Sequence, residues 1–394
     1  MRARTIVVAL GLTACAANAR PVVEKADELP AVGSSASLAE STSTSIEAAT
    51  TTTTVVARPD GTFTLAFSGD TLIHRPIVAQ AANYAGGTGY EFAPMFARIA
   101  SLIGSADLAV CHMETPVAPP GEPLSGHPIY GVPVEVLAAV AGAGYDRCSS
   151  ASTHSLDRGV KGIDATVNGM EAVGLGNSGM ARTPAESTPQ VFTVRGVRMA
   201  QLSYSFGFNG LKLPAGQEWR VRMIDSGRII SDARLARERG AEFVFVSLHW
   251  GEEKNWKVTA EQRRVAEAVT ASGQVDLIVG HHVHVIQPIE LINGRWVLFG
   301  LSNIISNLPG GDDAWPLSSQ DGMIVTMSVV RAPGGGWDIG RPAVYPTWVD
   351  HRGYLIRLVR PDIDDPATPA DIMPDLRSSL QRTTQVVGEF LALG

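Results

Sequence analysis

The sequence predicts an α/β fold with much parallel sheet, and two observations carry that prediction. Short apolar runs of β-branched and aromatic residues alternate with longer segments of helical periodicity along the chain. Acidic and imidazole side chains also recur just past the ends of the apolar runs, where open α/β sheets bind their ligands.

The elements follow in order. Thr62 to Phe67 alternates and gives way to Ser68-Gly69-Asp70, which reads as a strand ending in a turn. Phe92 to Ile103 reads as a helix with Phe92, Phe96, Ile99 and Ile103 on one face. Asp107 to Cys111 is a short apolar strand leading into His112-Met113-Glu114-Thr115. Val132 to Ala143 reads as a second helix, followed by a strand near Tyr145 to Ser149 and the loop Ala151-Ser152-Thr153-His154. Val197 to Tyr204, Phe243 to Leu248, Val275 to Val279 and Trp296 to Phe299 are further strands. Helices near Ser226 to Arg239 and Thr259 to Ser272 separate several of them, and no internal repeat is visible.

The chain of 394 residues is long enough for a sizeable core, with 45% hydrophobic and 18% charged residues. A formal charge of -7 and a pI near 5.7 argue against a nucleic-acid partner, which needs a basic patch. Beyond the first dozen residues no apolar run has the length to span a bilayer. At the amino end, Arg2 and Arg4 precede the apolar stretch Ile6 to Leu12, and Leu12-Thr13-Ala14-Cys15 matches a bacterial lipobox. Lipidation at Cys15, export and anchoring to the outer face of the cell membrane are expected. The alternatives are a plain secretory signal cut near Ala17 to Ala19, or a disordered start.

Residues 16–60 read as a tether, because Ser34 to Thr54 is almost entirely Ser, Thr and Ala and has too little apolar surface to offset its ordering entropy. The expected organisation is therefore a signal over 1–15, a tether over 16–60, a main domain over 61–360 and a tail or helix over 361–394. Cys111 and Cys148 remain after processing. An exported protein invites a disulfide between them; two small buried residues in neighbouring strands are the other reading, and free thiols are the expectation adopted.

The strongest local signal is Gly280-His281-His282-Val283-His284 after the buried run Val275 to Val279. Alternation along an extended chain sends His282 and His284 to one side, and a neutral imidazole is the commonest metal ligand. A hydrogen-bonded histidine loop is the bland alternative. Partners for a metal site stand at other strand ends: Asp70, Glu114, and His249 in His249-Trp250-Gly251. Mixed carboxylate and imidazole donors suit Mn, Fe or Zn better than Ca or Mg.

The order of these motifs resembles the CapA family, associated with capsular poly-γ-glutamate synthesis, within the calcineurin-like phosphoesterase superfamily. It runs from about Thr64 to Asn307 through Gly69-Asp70, His112-Met113-Glu114-Thr115, and Ser152-Thr153-His154 with Asp157 and Gly159. Gly174-Leu175-Gly176, His249 to Gly251 with Glu253, and Gly280 to His284 with Gln287 and Glu290 follow, and Ser302-Asn303-Ile304 stands for a late Gly-Asn-Phe. The resemblance implies a calcineurin-like metallophosphoesterase sandwich of mixed β-sheets flanked by helices. It implies one or two divalent cations bridged by Glu114, with Asp70 and His284 on one and His249 and His282 on the other. His154, with Asp157, takes the acid–base role. Thr153, His281, Glu253 and Asn303 are counted with the substrate-binding residues, Asn303 alternatively with residues behind the ligands. The sequence departs from the family pattern at Thr153, where an Asn ligand is usual, at Leu72, where a His is usual, and at His112, which alternation places beside Glu114 as a replacement ligand.

Three readings of function stay open: a metal-dependent hydrolase or transferase acting on a phosphoester or an envelope polymer, an accessory protein that binds an anionic polymer or its synthase without turnover, and a scaffold.

Overall fold

The computed structural model describes residues 61–310 and 314–392. The expectations for 1–15 and 16–60, Cys15 included, lie outside the described residues.

The strands are β1 (Phe63–Thr71), β2 (Leu108–Met113), β3 (Arg147–Ser149), β4 (Gly176–Ser178), β5 (Val191–Val194), β6 (Val197–Ser205), β7 (Phe243–His249), β8 (Leu277–His281), β9 (Ile289–Ile292), β10 (Arg295–Leu298), β11 (Asn303–Ile305), β12 (Asp321–Arg331), β13 (Trp337–Ile339), β14 (Ala343–Asp350) and β15 (Leu355–Leu358). They form two mixed sheets. One has the order β15-β14-β12-β1-β2-β3-β4, with β11 beside β1 and β13 beside β12; the other has the order β5-β6-β7-β8-β10-β9. β1 to β4 are parallel neighbours, as are β6, β7, β8 and β10, while β12, β14 and β15 run antiparallel.

Alternation along the strands builds the sandwich. Phe63, Leu65 and Phe67 of β1 point at Phe243 and Phe245 of β7 and Leu277 and Val279 of β8, and form the core between the sheets. Ala66, between them, faces the other way, into a cluster with the helix Glu135–Gly142 through Val136 and Leu137. The outer face of the second sheet is covered by the helices Ser226–Glu238 and Ala260–Ala271 through Ile229, Ala233, Val265 and Val269. Thr259 and Gln262 form a reciprocal capping box that starts the latter helix. The C-terminal helix Met373–Val387 buries Leu376 against Trp348, and Val387 and Phe390 join the core between the sheets.

Several local expectations need correction. β1 does not stop at Phe67 but continues through Thr71, because β11 and β2 go on pairing with Asp70 and Thr71. The expected helix over Phe92 to Ile103 is two short helices, Ala93–Phe96 and Ala100–Ile103, joined by a turn, although all four of its apolar positions are buried. Cys111 and Cys148 are not free thiols. They face each other across β2 and β3 at a Cα–Cα distance of 4.4 Å and form a disulfide. The two strands are in register, which brings the Cβ atoms within bridging range.

Candidate metal centre

The site gathers at the carboxyl ends of β1, β2, β3, β7 and β8, and close backbone approaches bring those ends together. A Cβ on Gly69 would lie 2.2 Å from the Ser302 carbonyl oxygen, and one on Gly280 would lie 1.9 Å from that of Phe299, so both positions admit only glycine. The register of β1 shifts between Phe67 and Asp70 against β2 and between Asp70 and Thr71 against β11, irregularities that re-aim a side chain. Asp70 is fully buried and accepts from the His282 backbone N–H at 2.9 Å, with His281 Nδ1 at 2.9 Å from its other oxygen.

His282 and His284 do not meet by strand alternation. β8 ends at His281, and both residues then take left-handed conformations, φ 94° and 56°. Non-glycine residues bear such strain at functional sites. Their ring centroids end 5.9 Å apart.

Hydrogen bonds orient the imidazoles. His284 Nδ1 lies 2.9 Å from Asn303 Oδ1, which can only accept, so the proton is on Nδ1 and the Nε2 lone pair is directed 3.6 Å from Glu114 Oε1. The Asn303 amide donates onward to the Ser319 carbonyl at 2.9 Å, which fixes its own orientation. A second chain runs from Ser149 Oγ through His112 Nδ1 at 2.8 Å, and from His112 Nε2 to His249 Nδ1 at 3.0 Å. The Ser149 hydroxyl donates to the Cys111 carbonyl at 3.4 Å and so accepts from His112 Nδ1; His249 then donates from Nδ1 and keeps its Nε2 lone pair, 3.2 Å from Thr153 Oγ1 and 4.0 Å from Glu114 Oε1.

Glu114 is thus fully buried, faced by imidazole lone pairs, and neither carboxylate oxygen has a hydrogen-bond partner. His282 Nδ1 is likewise buried without one. Burial, reinforced by Asp70, Glu253 and Asp157, holds the Glu114 carboxyl well above the usual range, and burial raises Asp70 against the pull of His112 and His284. Burial also drives His112, His249 and His282 well below the ordinary imidazole value and His281 to about 3. Neutral imidazoles around two buried carboxyl groups are a donor set that a divalent cation fits. Donor atoms within 4.8 Å of one another come from Asp70, Glu114 and His284, from Glu253, His282 and His284, and from Asp70, His112 and His281.

A cleft of about 520 Å³ opens on this layer, lined by His154, Glu253, His284, Tyr130, Asn209 and Trp315 among others. His154 Nδ1 is 2.7 Å from Asp157 Oδ2, which also accepts from the Tyr130 backbone N–H at 2.7 Å.

The structure brings Asp70, Glu114, His112, His249, His282 and His284 together, with His154 and Asp157 beside them. Two residues counted with substrate binding sit elsewhere. Asn303 does not reach the cleft: it is fully buried, and both ends of its amide are taken by His284 and Ser319. His281 is buried against Asp70 and stacks on His112 with centroids 4.0 Å apart, so it belongs to the donor layer. Thr153 is buried against His249, and Glu253 is exposed at the rim. Ser149, which fixes the His112 tautomer, and Tyr130, whose ring lies 4.6 Å from that of His154, were not anticipated. No motif marks either, because both act through contacts distant in sequence.

Residues 64–308 match the family described as "Bacterial capsule synthesis protein PGA_cap". The "PGA biosynthesis protein CapA" of Bacillus subtilis (strain 168) is 30% identical over 168 residues, 40% of this chain and 41% of that protein. The "Capsule biosynthesis protein CapA" of Bacillus anthracis is 28% identical over 194 residues, 48% of this chain and 46% of that protein. The chain thus spans less than half the length of these curated relatives. Among solved structures, the calcineurin-like phosphoesterase YfkN from Bacillus subtilis aligns at a TM-score of 0.43 and 14% identity, over 83% of this chain and 99% of that one. The sandwich described above stands on its own strand order, whereas the family rests on a match over more than half the chain: this protein belongs to the bacterial capsule synthesis protein family PGA_cap.

Proposed function

We propose that this chain is an exported cell-envelope protein that holds one or two divalent cations and carries out hydrolysis or transfer on a phosphoester or on a related bond of an envelope polymer. The observation that carries the proposal is Glu114, a buried carboxylate with neither oxygen hydrogen-bonded and with imidazole lone pairs turned toward it. A buried charge in such surroundings is costly unless a cation meets it. Asp70, Glu114, His249, His282 and His284 would hold the metal, with Mn, Fe or Zn favoured by the mixed oxygen and nitrogen donors. His112, with both ring nitrogens bonded, and His281 support that layer. When bound, a divalent cation supplies Lewis acidity and lowers the pKa of water from 15.7 toward about 7.

The protein's own groups supply the rest. Asp157 holds His154 by Nδ1 and is itself fixed by the Tyr130 N–H, so His154 Nε2 is the nitrogen left to face a leaving oxygen, to which the doubly protonated ring would give its Nε2 proton and return to the neutral form. Thr153 and Glu253 stand beside the cleft, Thr153 with its hydroxyl against His249 and Glu253 at the open rim.

The relatives are named for capsule and PGA biosynthesis, which supports an anionic envelope polymer as substrate and a polymer synthase as partner. The Cys111–Cys148 disulfide supports an oxidising compartment outside the cytoplasm. Among the described residues no helix is long and apolar enough to cross a membrane. The run Leu12-Thr13-Ala14-Cys15 supports anchoring through a lipid on Cys15. A Cys15→Ala protein should leave the membrane fraction; a wild type found wholly soluble after export removes the anchor from the proposal.

Thr153 favours a second reading, a metal-binding accessory protein without turnover. Its hydroxyl caps His249 Nε2 where the family pattern has an Asn ligand. The deciding experiment is metal analysis of the purified protein after Mn or Zn resupply, followed by a phosphoester screen. Stoichiometric metal with turnover supports the hydrolase or transferase. Metal without turnover, before and after Thr153→Asn, supports the accessory protein, and absence of bound metal overturns both.

A further inference from the structure

A second cavity, of about 450 Å³, lies where β3 and β4 of one sheet meet β6 of the other, and it shares no lining residue with the cleft over the metal centre. Most of the charge in its wall is already matched. Arg182 pairs with Glu186 and Glu171, and Arg222 pairs with Asp232. Arg147 differs: among the described residues no carboxylate lies within ion-pairing distance of its guanidinium.

The partners of Arg147 are neutral. Its Nε donates to Gln201 Oε1 at 3.1 Å and its Nη2 to the Asn177 carbonyl at 3.1 Å, while Phe192 covers one face of the guanidinium at 3.9 Å. Nη1 has no protein acceptor among the described residues. Gly176 leaves the room in which it lies, since a Cβ there would stand 2.2 Å from Nη1. Burial lowers Arg147 to about 10, with Asp146 opposing from the exposed side.

A second unmet donor stands beside it. Gln201 is 3% exposed, and its Nε2 is buried with no partner. An amide flip does not relieve this, because the Arg147 Nε–H requires an oxygen at the Oε1 position. Nη1 of a half-buried guanidinium and the buried Nε2 of Gln201, both on residues that line this cavity, thus have no acceptor among the described residues. Each lone donor is expensive to bury unless something accepts from it.

We propose that this cavity binds a small molecule through a single carboxylate, accepted between Arg147 Nη1 and Gln201 Nε2. The lining as a whole is balanced, three arginines against three carboxylates, but those carboxylates pair with Arg182 and Arg222, so a ligand carboxylate would meet the one guanidinium they do not reach. Glu171, Glu186 and Asp232 close by disfavour ligands of higher negative charge.

The test uses the full chain with glutamate, acetate and inorganic phosphate as separate probes, followed by NMR titration and thermal denaturation. Saturable binding of glutamate or acetate, with a rise in Tm, is expected for the wild type. Arg147→Met should weaken that binding roughly tenfold to a hundredfold, the cost of one charge-assisted contact. Gln201→Met, which leaves the cation in place, should weaken it less. Gly176→Ala should also block it, by driving a methyl group into the guanidinium's space, and serves if Arg147→Met fails to fold. Binding of phosphate with no binding of either carboxylate overturns the ligand class. An equal response in wild type and in the Arg147 and Gly176 variants, or no saturable binding of any probe, overturns the site. A loss of stability on Arg147→Met with no ligand response in the wild type would leave Arg147 as a tie between the sheets and likewise overturn it.

Discussion

Replacing Glu114 by Gln separates a metal ligand from a structural hydrogen-bond acceptor, because the two roles predict opposite signs. Glu114 is buried, accepts no hydrogen bond, and is held well above its ordinary value of 4.5. The folded protein therefore keeps this proton where the unfolded chain has lost it. Native stability from this group is complete below the unfolded value and falls as pH rises toward the folded one, by about 1.4 kcal/mol per pH unit. The buried histidines work the other way. Their lowered values mean that the unfolded chain binds more protons below about 6.5, so their contribution rises with pH up to that point. Subtracting the variant's profile from that of the wild type isolates Glu114. Gln is neutral and nearly isosteric, so in EDTA the Glu114→Gln protein should become the more stable of the two as pH climbs above 4.5. With Mn or Zn bound the order should reverse. A lost supporting contact already lowers metal affinity about 10–100-fold, and a lost ligand should reach at least that range. Urea denaturation with EDTA and with metal, over about pH 5 to 8, and calorimetric metal titration read both effects. A variant that is less stable than wild type in EDTA at every pH and binds metal as tightly would show that Glu114 is a structural acceptor, and the metal centre would lose its central ligand.

Asn303→Leu should lower metal affinity about 10–100-fold while leaving the cleft open, because His284 loses the acceptor that fixes its tautomer; calorimetric titration checks it. His154→Ala should retain metal but slow any turnover about 10²–10⁴-fold, and Asp157→Asn should act in the same direction by releasing His154 Nδ1, both read from steady-state rates at matched metal content. Reducing the disulfide, which joins residues 37 apart in sequence, or replacing both cysteines by Ser, should cost about 3–4 kcal/mol by the chain-entropy relation, measured by denaturation with and without reductant.

Most of the parallel strands were legible because they are buried apolar runs, and a run such as Phe243 to Leu248 admits few other readings, whereas the three-residue β4 and β11 went unread. The antiparallel strands β12, β14 and β15 escaped. β12 interrupts its apolar residues with Thr326 and Ser328, and β14 carries Pro346 and Thr347, so neither stands out against the loops around it. The break in the helix expected over Phe92 to Ile103 was hidden for a related reason: two short turns can bury the same spacing of apolar residues as one continuous helix. The cysteine pair needed the register of β2 on β3, which no local pattern supplies.

At the site, residue type and position after a strand were enough to gather the donors, but not to sort them. Alternation brought His282 and His284 to one side on paper; in the fold the chain leaves the strand at His281, and two left-handed residues do that work. What distinguishes a ligand from its support is which ring nitrogen carries the proton, and that is decided by Asn303 for His284 and by Ser149, through His112, for His249. These partners come from β11 and β3, whose places beside β1 and β2 are set by sheet pairing rather than by sequence spacing. The departures at His112 and Thr153 are therefore linked. At these two positions this chain has an imidazole that accepts from His249 Nδ1 and a hydroxyl that meets His249 Nε2. The pair holds one imidazole by both nitrogens. Thr153 can rotate its hydroxyl away from Nε2 when a cation arrives, whereas His112 cannot release Nδ1 without leaving its own Nε2 unmet in a fully buried position. In the proposed centre His249 is the imidazole that this sequence constrains at Nδ1, and a change at Ser149 should disturb it through His112 without touching the cleft.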